Sequence, residues 1–439
     1  MIVMKFGGTS VKNAERIKIV ADIIKSRLDK KPVIVCSATS GTTNKLIEMA
    51  NVAFKGKPSI DIQKELMEKH GEIIKDLGID GKDVAEIFED MLKLMERVEA
   101  IKLASSETLD HIQSYGERIS CRLVAAYLNK IGIKAKAYDA YDIGMITNPD
   151  FGKAEPLEHA YELINEKISA LDHVPVVTGF IGKTTAGDIT TLSRGGSDYT
   201  ASIIGAAIGA KEVEIWTDVD GVMSADPRVV EDAKTIATLS FNEASELAVF
   251  GARVLHPKSL IPALEKNIPV LVLNTYNPDG KGTEVVMESK KAEKVVKAIA
   301  CKKGITLINL TSTRMLNAHG YLARVFDIFR DHGKSVDMLA TSEVSLSMTI
   351  NEPENMDSVI NDLESIAEVR VEKNKAIICV VGEGMKHEIG ISGKIFNAVG
   401  IAGVNTEMIS QGASEINIGF VVNEDEADKT VKALHKEFI

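Results

Sequence analysis

Paired cysteines, long apolar runs and surplus positive charge are all missing from this chain. The four cysteines, Cys36, Cys121, Cys301 and Cys379, lie far apart with no Cys-x-x-Cys spacing. No disulfide framework is expected. Cys36 and Cys379 fall in apolar strand-like runs and read as buried free thiols of a reducing compartment. No apolar run approaches the ~20 residues of a membrane-spanning helix. Met1–Met4 is too short for the apolar core of a secretory signal, so a cytoplasmic protein is expected. Acidic residues outnumber basic ones by 63 to 52, a net charge of −11. Such a surface repels nucleic acid and anionic membrane, and neither is expected as a partner. An anionic ligand must then be met by a local cluster of positive groups.

What is present is ordinary globular material. The 439 residues are 45% apolar and 26% charged, which predicts two or three domains with real cores. The first ten residues organise the rest. Ile2-Val3-Met4 reads as a buried strand running into Lys5-Phe6-Gly7-Gly8-Thr9-Ser10, and a helical pattern follows with Ile17, Val20, Ile23 and Ile24 on one face. A strand, a glycine turn and a helix start make a phosphate-site layout, and Lys5 adds a full charge beside it. The turn is neither a Walker sequence nor Gly-x-Gly-x-x-Gly. An ordinary strand–turn–helix with a solvated Lys5 has the same pattern.

A second buried strand, Pro32–Cys36, ends in the hydroxyl-rich loop Ser37–Asn44. Strand, helix, strand with short connections predicts a parallel sheet, whose ligands bind beyond the carboxyl ends of the strands. The loop also reads as simple turn chemistry with Asn44 as a cap. Residues 58–104 read as a helical excursion from the sheet without a catalytic part. Ser114–Arg118 is placed early in a helix reaching Leu128. There Glu117 and Arg118 are either a solvated surface pair or bring Glu117 to a ligand amine.

Further strands are expected at Ile133–Tyr138, Val174–Thr178, Val213–Thr217 and, as the last of this domain, Val270–Leu273. Between them, Arg194-Gly195-Gly196-Ser197-Asp198-Tyr199 opens a small-residue helix, Thr200 to Ala210. Arg194 can grip a carboxylate with two hydrogen bonds. Asp198 is either a plain cap or a buried acid that holds lysines at a phosphoryl-transfer site. Pro257 should stop one helix and begin the next, with His256 a structural hydrogen-bonding residue.

In order along residues 1–275, Lys5–Ser10, Gly116-Glu117, Arg194–Tyr199, Trp216-Thr217-Asp218-Val219, Asp226-Pro227-Arg228 and Gly251–Pro257 resemble the amino-acid kinase family, and within it the aspartate kinases. The resemblance implies a mainly parallel α/β sheet sandwiched by helices, over residues 1–290. It also implies ATP-dependent phosphorylation of the L-aspartate β-carboxylate. By resemblance, Lys5, Asp198 and Arg194 would be catalytic. Lys5, Gly7, Gly8, Thr9 and Ser10 would hold the transferring phosphate. Thr43, Glu117, Arg194 and Ser197 would contact L-aspartate, with Arg194 on the α-carboxylate and Glu117 on the amine. Thr217, Asp218, Arg228 and Arg253 would contact ATP, with Mg²⁺ carried by its phosphates and no dedicated metal-binding side chains. Two positions depart from the pattern: Met223 where many relatives carry Tyr, and Arg253 where they carry Lys.

The last third repeats itself. At an offset of seventy residues with no gap, Ile308 matches Ile378, Met315 matches Met385, Gly320 matches Gly390, Gly333 matches Gly403 and Met338 matches Met408. Ser345–Ile350 then falls on Glu415–Phe420. Each copy reads as a ferredoxin-like βαββαβ unit, residues 298–371 and 372–439. The pair resembles ACT domains, and Met315–Leu322 with Ser335–Glu343 resembles the lysine-sensitive aspartate kinases. The resemblance implies a homodimer or higher homo-oligomer and L-lysine as effector. Met315, Tyr321, Leu322, Val336, Asp337, Ser342 and Glu343 would border its site. Another amino-acid kinase, or a non-catalytic amino-acid sensor on the same fold, is the alternative.

Overall fold

The computed structural model describes residues 1–251, 255–288, 295–316, 318–351, 356–412 and 416–439. The chain divides into two compact units. The first comprises Met1–Val222, Ala237–Phe241 and Val254–Glu288; the second comprises Met223–Ile236, Asn242–Arg253 and Ser289–Ile439.

In the first unit the strands lie in the order Ala135–Tyr138, Val174–Thr178, Pro32–Cys36, Ile2–Phe6, Val213–Thr217, Val270–Asn274, Thr283–Val286 and Thr238–Ser240. The first six are parallel. Ile2–Phe6 and Pro32–Cys36 are buried at every position, as expected of parallel strands covered on both faces. Side chains alternate across the sheet. Ile2, Met4, Phe6, Ile34, Cys36 and Trp216 join one core, together with the helices Ala14–Lys25, Thr42–Phe54, Ile60–Leu77, Lys82–Ile101 and Ser106–Lys130. Val3 and Lys5 point the other way. That face carries the helix Gly196–Ile208, where a Cβ on Gly205 would stand 2.6 Å from Val213. The register sets Phe6 opposite both Cys36 and Trp216, so the loops after these strands emerge together.

Several boundaries differ from the sequence reading. The first helix begins only at Ala14, where the Asn13 side chain accepts from the Arg16 N–H at 3.0 Å. The Gly7–Ser10 turn is therefore not a helix N-terminus. The helix carrying Glu117 starts at Ser106, capped by Ser105, so Gly116–Arg118 lies in mid-helix. There the Ser114 hydroxyl donates back to the His111 carbonyl at 2.7 Å. Val270–Asn274 is not the last strand of the sheet, since Thr283–Val286 folds back on it. That strand is too short to show a period. The small-residue helix starts at Gly196 and ends at Gly209, whose φ is 57°. A separate sheet of Ile146–Thr147, Ile181–Thr184 and Ile189–Thr191 was not anticipated. Cys36, Cys121 and Cys379 are buried free thiols as expected, and Cys301 is half-buried and free. Among the described residues no helix is long and apolar enough to cross a membrane.

The second unit holds one six-stranded sheet ordered Met338–Thr341, Ser345–Ile350, Ala298–Thr311, Glu368–Val381, Asn417–Asn423 and Met408–Ser410. Its two central strands are long, and each serves both repeats. Thr306–Thr311 pairs with Ser345–Ile350 and with Glu368–Glu372, which closes a four-stranded ferredoxin-like sheet. Ala298–Lys302 pairs with Ile377–Val381, which pairs in turn with Asn417–Val421, closing the second. The gapless register fails in the last strand. Met338 faces Thr349, but Met408 faces Val421, so the second hairpin is two residues longer, 421 − 349 being 72 where 408 − 338 is 70. Glu415, the expected match of Ser345, lies outside the described residues.

Glu243 of this unit is fully buried and accepts from the Lys297 ammonium and the Glu383 N–H, each at 2.7 Å. Lys297→Met would remove the ammonium from that buried carboxylate, at a cost of about 1–3 kcal/mol. Chemical denaturation should show the second unit's transition moved to lower denaturant, with the first unit's transition unmoved.

Candidate functional site

The strand alternation that buries Met4 on one face sends Lys5 to the other, under the start of the Gly196–Ile208 helix. Gly195 precedes that helix with φ 77°, a conformation that costs a side chain dearly, and a Cβ there would meet His256 at 2.9 Å. Asp198, in the first turn, reaches back to Lys5, with its Oδ1 2.5 Å from Nζ. Both side chains are nearly buried. Asp198 is thus paired with Lys5, and the helix start has no side-chain cap bond.

Glu117 approaches from the opposite wall. The long helix comes close because Gly116 has no side chain, where a Cβ would stand 2.7 Å from that of Ala38. Glu117 is 4% exposed, and its Oε1 accepts from the Ala38 N–H at 3.1 Å. Its Oε2 has no partner among the described residues. Burial pushes this carboxyl up to about 8. Arg118 is not solvated either. It is bound to Asp139 at 3.1 Å and Asp90 at 3.3 Å, so the surface-pair reading fails for both residues.

The loop between them is held from a direction the sequence did not reveal. Ser40 N–H donates to the Gly8 carbonyl at 3.1 Å, and a Cβ on Gly8 would lie 2.7 Å from the Ala38 oxygen. Lys69 and His70, from the helical excursion, bond Ser40, Thr42 and Thr39. Asp110, one turn and more before Glu117, accepts from the N–H groups of Gly152 and Thr191 and from the Thr191 hydroxyl. It thereby ties its helix to the end of the Ile189–Thr191 strand. Burial raises its carboxyl. None of these residues has a sequence signature, because each works through a contact distant in the chain.

Lys5, Gly8, Thr43, Glu117, Ser197 and Asp198 line one cavity of about 370 Å³. Arg194 is exposed just before the lining glycines and makes no ion pair among the described residues. Ser10 points inward, its hydroxyl 3.2 Å from that of Thr275, and the N–H groups of Gly7 and Ser10 are spent on Trp216 and Gly7 carbonyls. Thr9 is half-buried in the same turn. Thr217 donates to exposed Asp218 at 3.2 Å at the end of its strand. Arg228 belongs to the second unit and is gripped by Asp226, with Nη2 2.6 Å from Oδ2. Met223, also there, accepts from Thr235 through Sδ at 3.5 Å. Arg253 lies outside the described residues. The His256 carbonyl accepts from Ser259, while its buried Nδ1 has no partner among the described residues.

Of the expected effector residues, Tyr321 is a core side chain whose hydroxyl donates to the Ile366 carbonyl at 3.2 Å. Met315 and Val336 pack against that core. Asp337 is paired with Lys302 at 2.9 Å. Leu322, Ser342 and Glu343 are exposed. Among the described residues no group of three or more His, Cys, Asp or Glu could hold a metal ion.

The sequence profile of the amino acid kinase family matches residues 1–274, and that of the ACT domain matches residues 378–438. Aspartokinase 3, chloroplastic, of Arabidopsis thaliana is 44% identical over 99% of this chain and 81% of its own length. E. coli aspartokinase III in complex with aspartate and ADP (R-state) superposes with TM-score 0.82 at 32% identity, covering 100% of this chain and 99% of that one. The same enzyme in complex with lysine and aspartate (T-state) gives 0.84 at 32% identity and the same coverage.

Glu117 has a consequence for stability. Its folded value of about 8 stands above the ordinary 4.5, so the folded state keeps a proton that the unfolded chain loses. Raising the pH through that window therefore favours unfolding. Glu117→Gln, which cannot ionise, should gain thermal stability over the parent as pH rises from 5 to 8. A Tm difference that stays constant across that range would mean Glu117 is ionised throughout.

Proposed function

The chain belongs to the amino acid kinase family, among the aspartokinases, and on that premise we propose how its cavity transfers the γ-phosphoryl group of ATP to the β-carboxylate of L-aspartate. The observation that carries the proposal is the Lys5–Asp198 pair facing an unpartnered Glu117 oxygen in one cavity. The acceptor needs no general base, because a β-carboxylate with an ordinary value near 3.9 is already ionised at neutral pH. The work is positioning and charge neutralisation. Glu117 takes the α-ammonium and gives up its proton as it does so. Arg194 takes the α-carboxylate with its exposed guanidinium, and Thr43 and Ser197 fix the rest of the acceptor. Lys5, held in place by Asp198, neutralises the phosphoryl oxygens beside the Gly7–Ser10 turn. Thr217 and Asp218 contact the nucleotide. A Mg²⁺ ion bound with ATP would supply further charge neutralisation. The cavity fits one held by phosphates, since its carboxylates are Glu117 and a lysine-bound Asp198.

The product, 4-phospho-L-aspartate, opens the route to lysine, threonine and methionine, and L-lysine is the proposed feedback inhibitor. Asp337 supports that reading. Its carboxylate already binds an alkylammonium, that of Lys302, which an incoming lysine would displace. Exposed Leu322 and Phe326 on the Tyr321–Asp331 helix suit burial in a homodimer.

Purified protein with Mg-ATP, L-aspartate and hydroxylamine should yield aspartyl hydroxamate, and L-lysine should lower the yield. Asp337→Ala should keep the yield and lose the lysine effect. Hydroxamate formation indifferent to lysine would sink the effector assignment alone. Its absence in folded protein would sink the transfer.

A further inference from the structure

The helical excursion, Ile60–Leu77 and Lys82–Ile101, is not needed to complete the sheet. Yet its first helix ends a directional chain of hydrogen bonds on the cavity loop. His70 is 0% exposed, with Nδ1 2.7 Å from the Leu66 carbonyl and Nε2 3.0 Å from the Thr39 hydroxyl. A carbonyl only accepts, so Nδ1 carries the hydrogen and Nε2 accepts from Thr39. Thr39 then accepts from Thr42, 2.6 Å away, and Thr42 accepts from the Lys69 ammonium at 3.0 Å. His70, Thr39 and Thr42 each donate once and accept once within this chain of bonds. Lys69 also donates to the Ser40 carbonyl at 2.7 Å and makes no ion pair among the described residues. Burial pushes the His70 imidazole down to about 4, so the neutral form this chain requires is the one present at neutral pH.

We propose that Lys69 and His70 are positioning residues for the acceptor subsite, holding the Ser37–Asn44 loop through Thr42 and Thr39 in the form that receives L-aspartate. The proposal rests on the function assigned above. Thr39, Ser40, Gly41 and Thr43 all line the cavity, so a loop released from the clamp loses its fit to the amino acid before it loses its fold. Neither Lys69 nor His70 lines the cavity itself.

The test is steady-state kinetics on full-length variants, with amide hydrogen exchange over residues 37–44. Thr39→Val keeps the volume and removes the relay hydroxyl. It should raise KM for L-aspartate about tenfold, the size of one buried hydrogen bond. KM for ATP should stay within about twofold and kcat within about threefold. His70→Leu should do the same. His70→Gln, whose amide oxygen can stand where Nε2 stood, should restore KM to within about threefold of the parent. Unchanged KM for L-aspartate in both Thr39→Val and His70→Leu would overturn the proposal. So would a parallel rise in both KM values with no rescue by glutamine, which is the mark of a general packing defect. If the parent protein transfers nothing to L-aspartate, the assigned function falls. Exchange then decides the clamp: faster exchange over 37–44 in Thr39→Val supports it, and equal exchange overturns it.

Discussion

A lysine cannot sit nearly buried at the end of a central strand without an anion, and the Lys5–Asp198 pair is the constraint that the first unit is built to meet. Strand parity decides which face Lys5 takes. The small-residue helix must then come close on that face, which Gly205 and the left-handed Gly195 permit. Asp198 must fall in the first turn of that helix. A plain cap would have served the helix alone. Spending the carboxylate on Lys5 instead leaves the helix start with backbone N–H groups and a cation side by side, which is an anion site in a chain of net charge −11.

Glu117 makes the opposite arrangement on the facing wall. Its carboxylate is buried with one bonded and one unpartnered oxygen and is held near neutrality until a cation arrives. A cavity with a fixed cation on one side and a latent anion on the other suits a zwitterion carrying an extra carboxylate. The latency has a cost in the empty protein, since an unpaired buried oxygen is destabilising. The rigid Arg118–Asp139–Arg122 network one residue away holds the helix against that cost.

What could be read from the sequence follows from how local each signal is. As buried strands, the apolar runs Ile2–Met4 and Pro32–Cys36 were legible. So were the glycine motifs, because a left-handed or close-packed backbone position needs that residue. Two helix starts were misplaced, since the first helix begins only at Ala14 and the one carrying Glu117 already at Ser106. Among the site residues, Lys5, Glu117 and Asp198 came together as expected, whereas Ser10 turned inward to Thr275. Lys69, His70 and Asp110 were illegible: a histidine or an acid on an amphipathic helix gives no sign of which distant loop it will hold.

The repeat teaches the same lesson at larger scale. Its matched glycines and methionines are real, but sequence offset alone implied two separable units. The strands Ala298–Thr311 and Glu368–Val381 instead cross from one four-stranded sheet to the other. The second copy therefore cannot close its sheet alone, since its fourth strand is Ala298–Lys302 of the first, and removing that strand leaves an open edge. Two repeats in sequence share one six-stranded sheet. A displacement of Ala298–Thr311 would be felt in both sheets, because that strand runs continuously through them. The two extra residues of the second hairpin fall at the counterpart of Ser342–Val344, beside the proposed effector site. The copies therefore differ in the length of one hairpin and agree in the strands through which they pair.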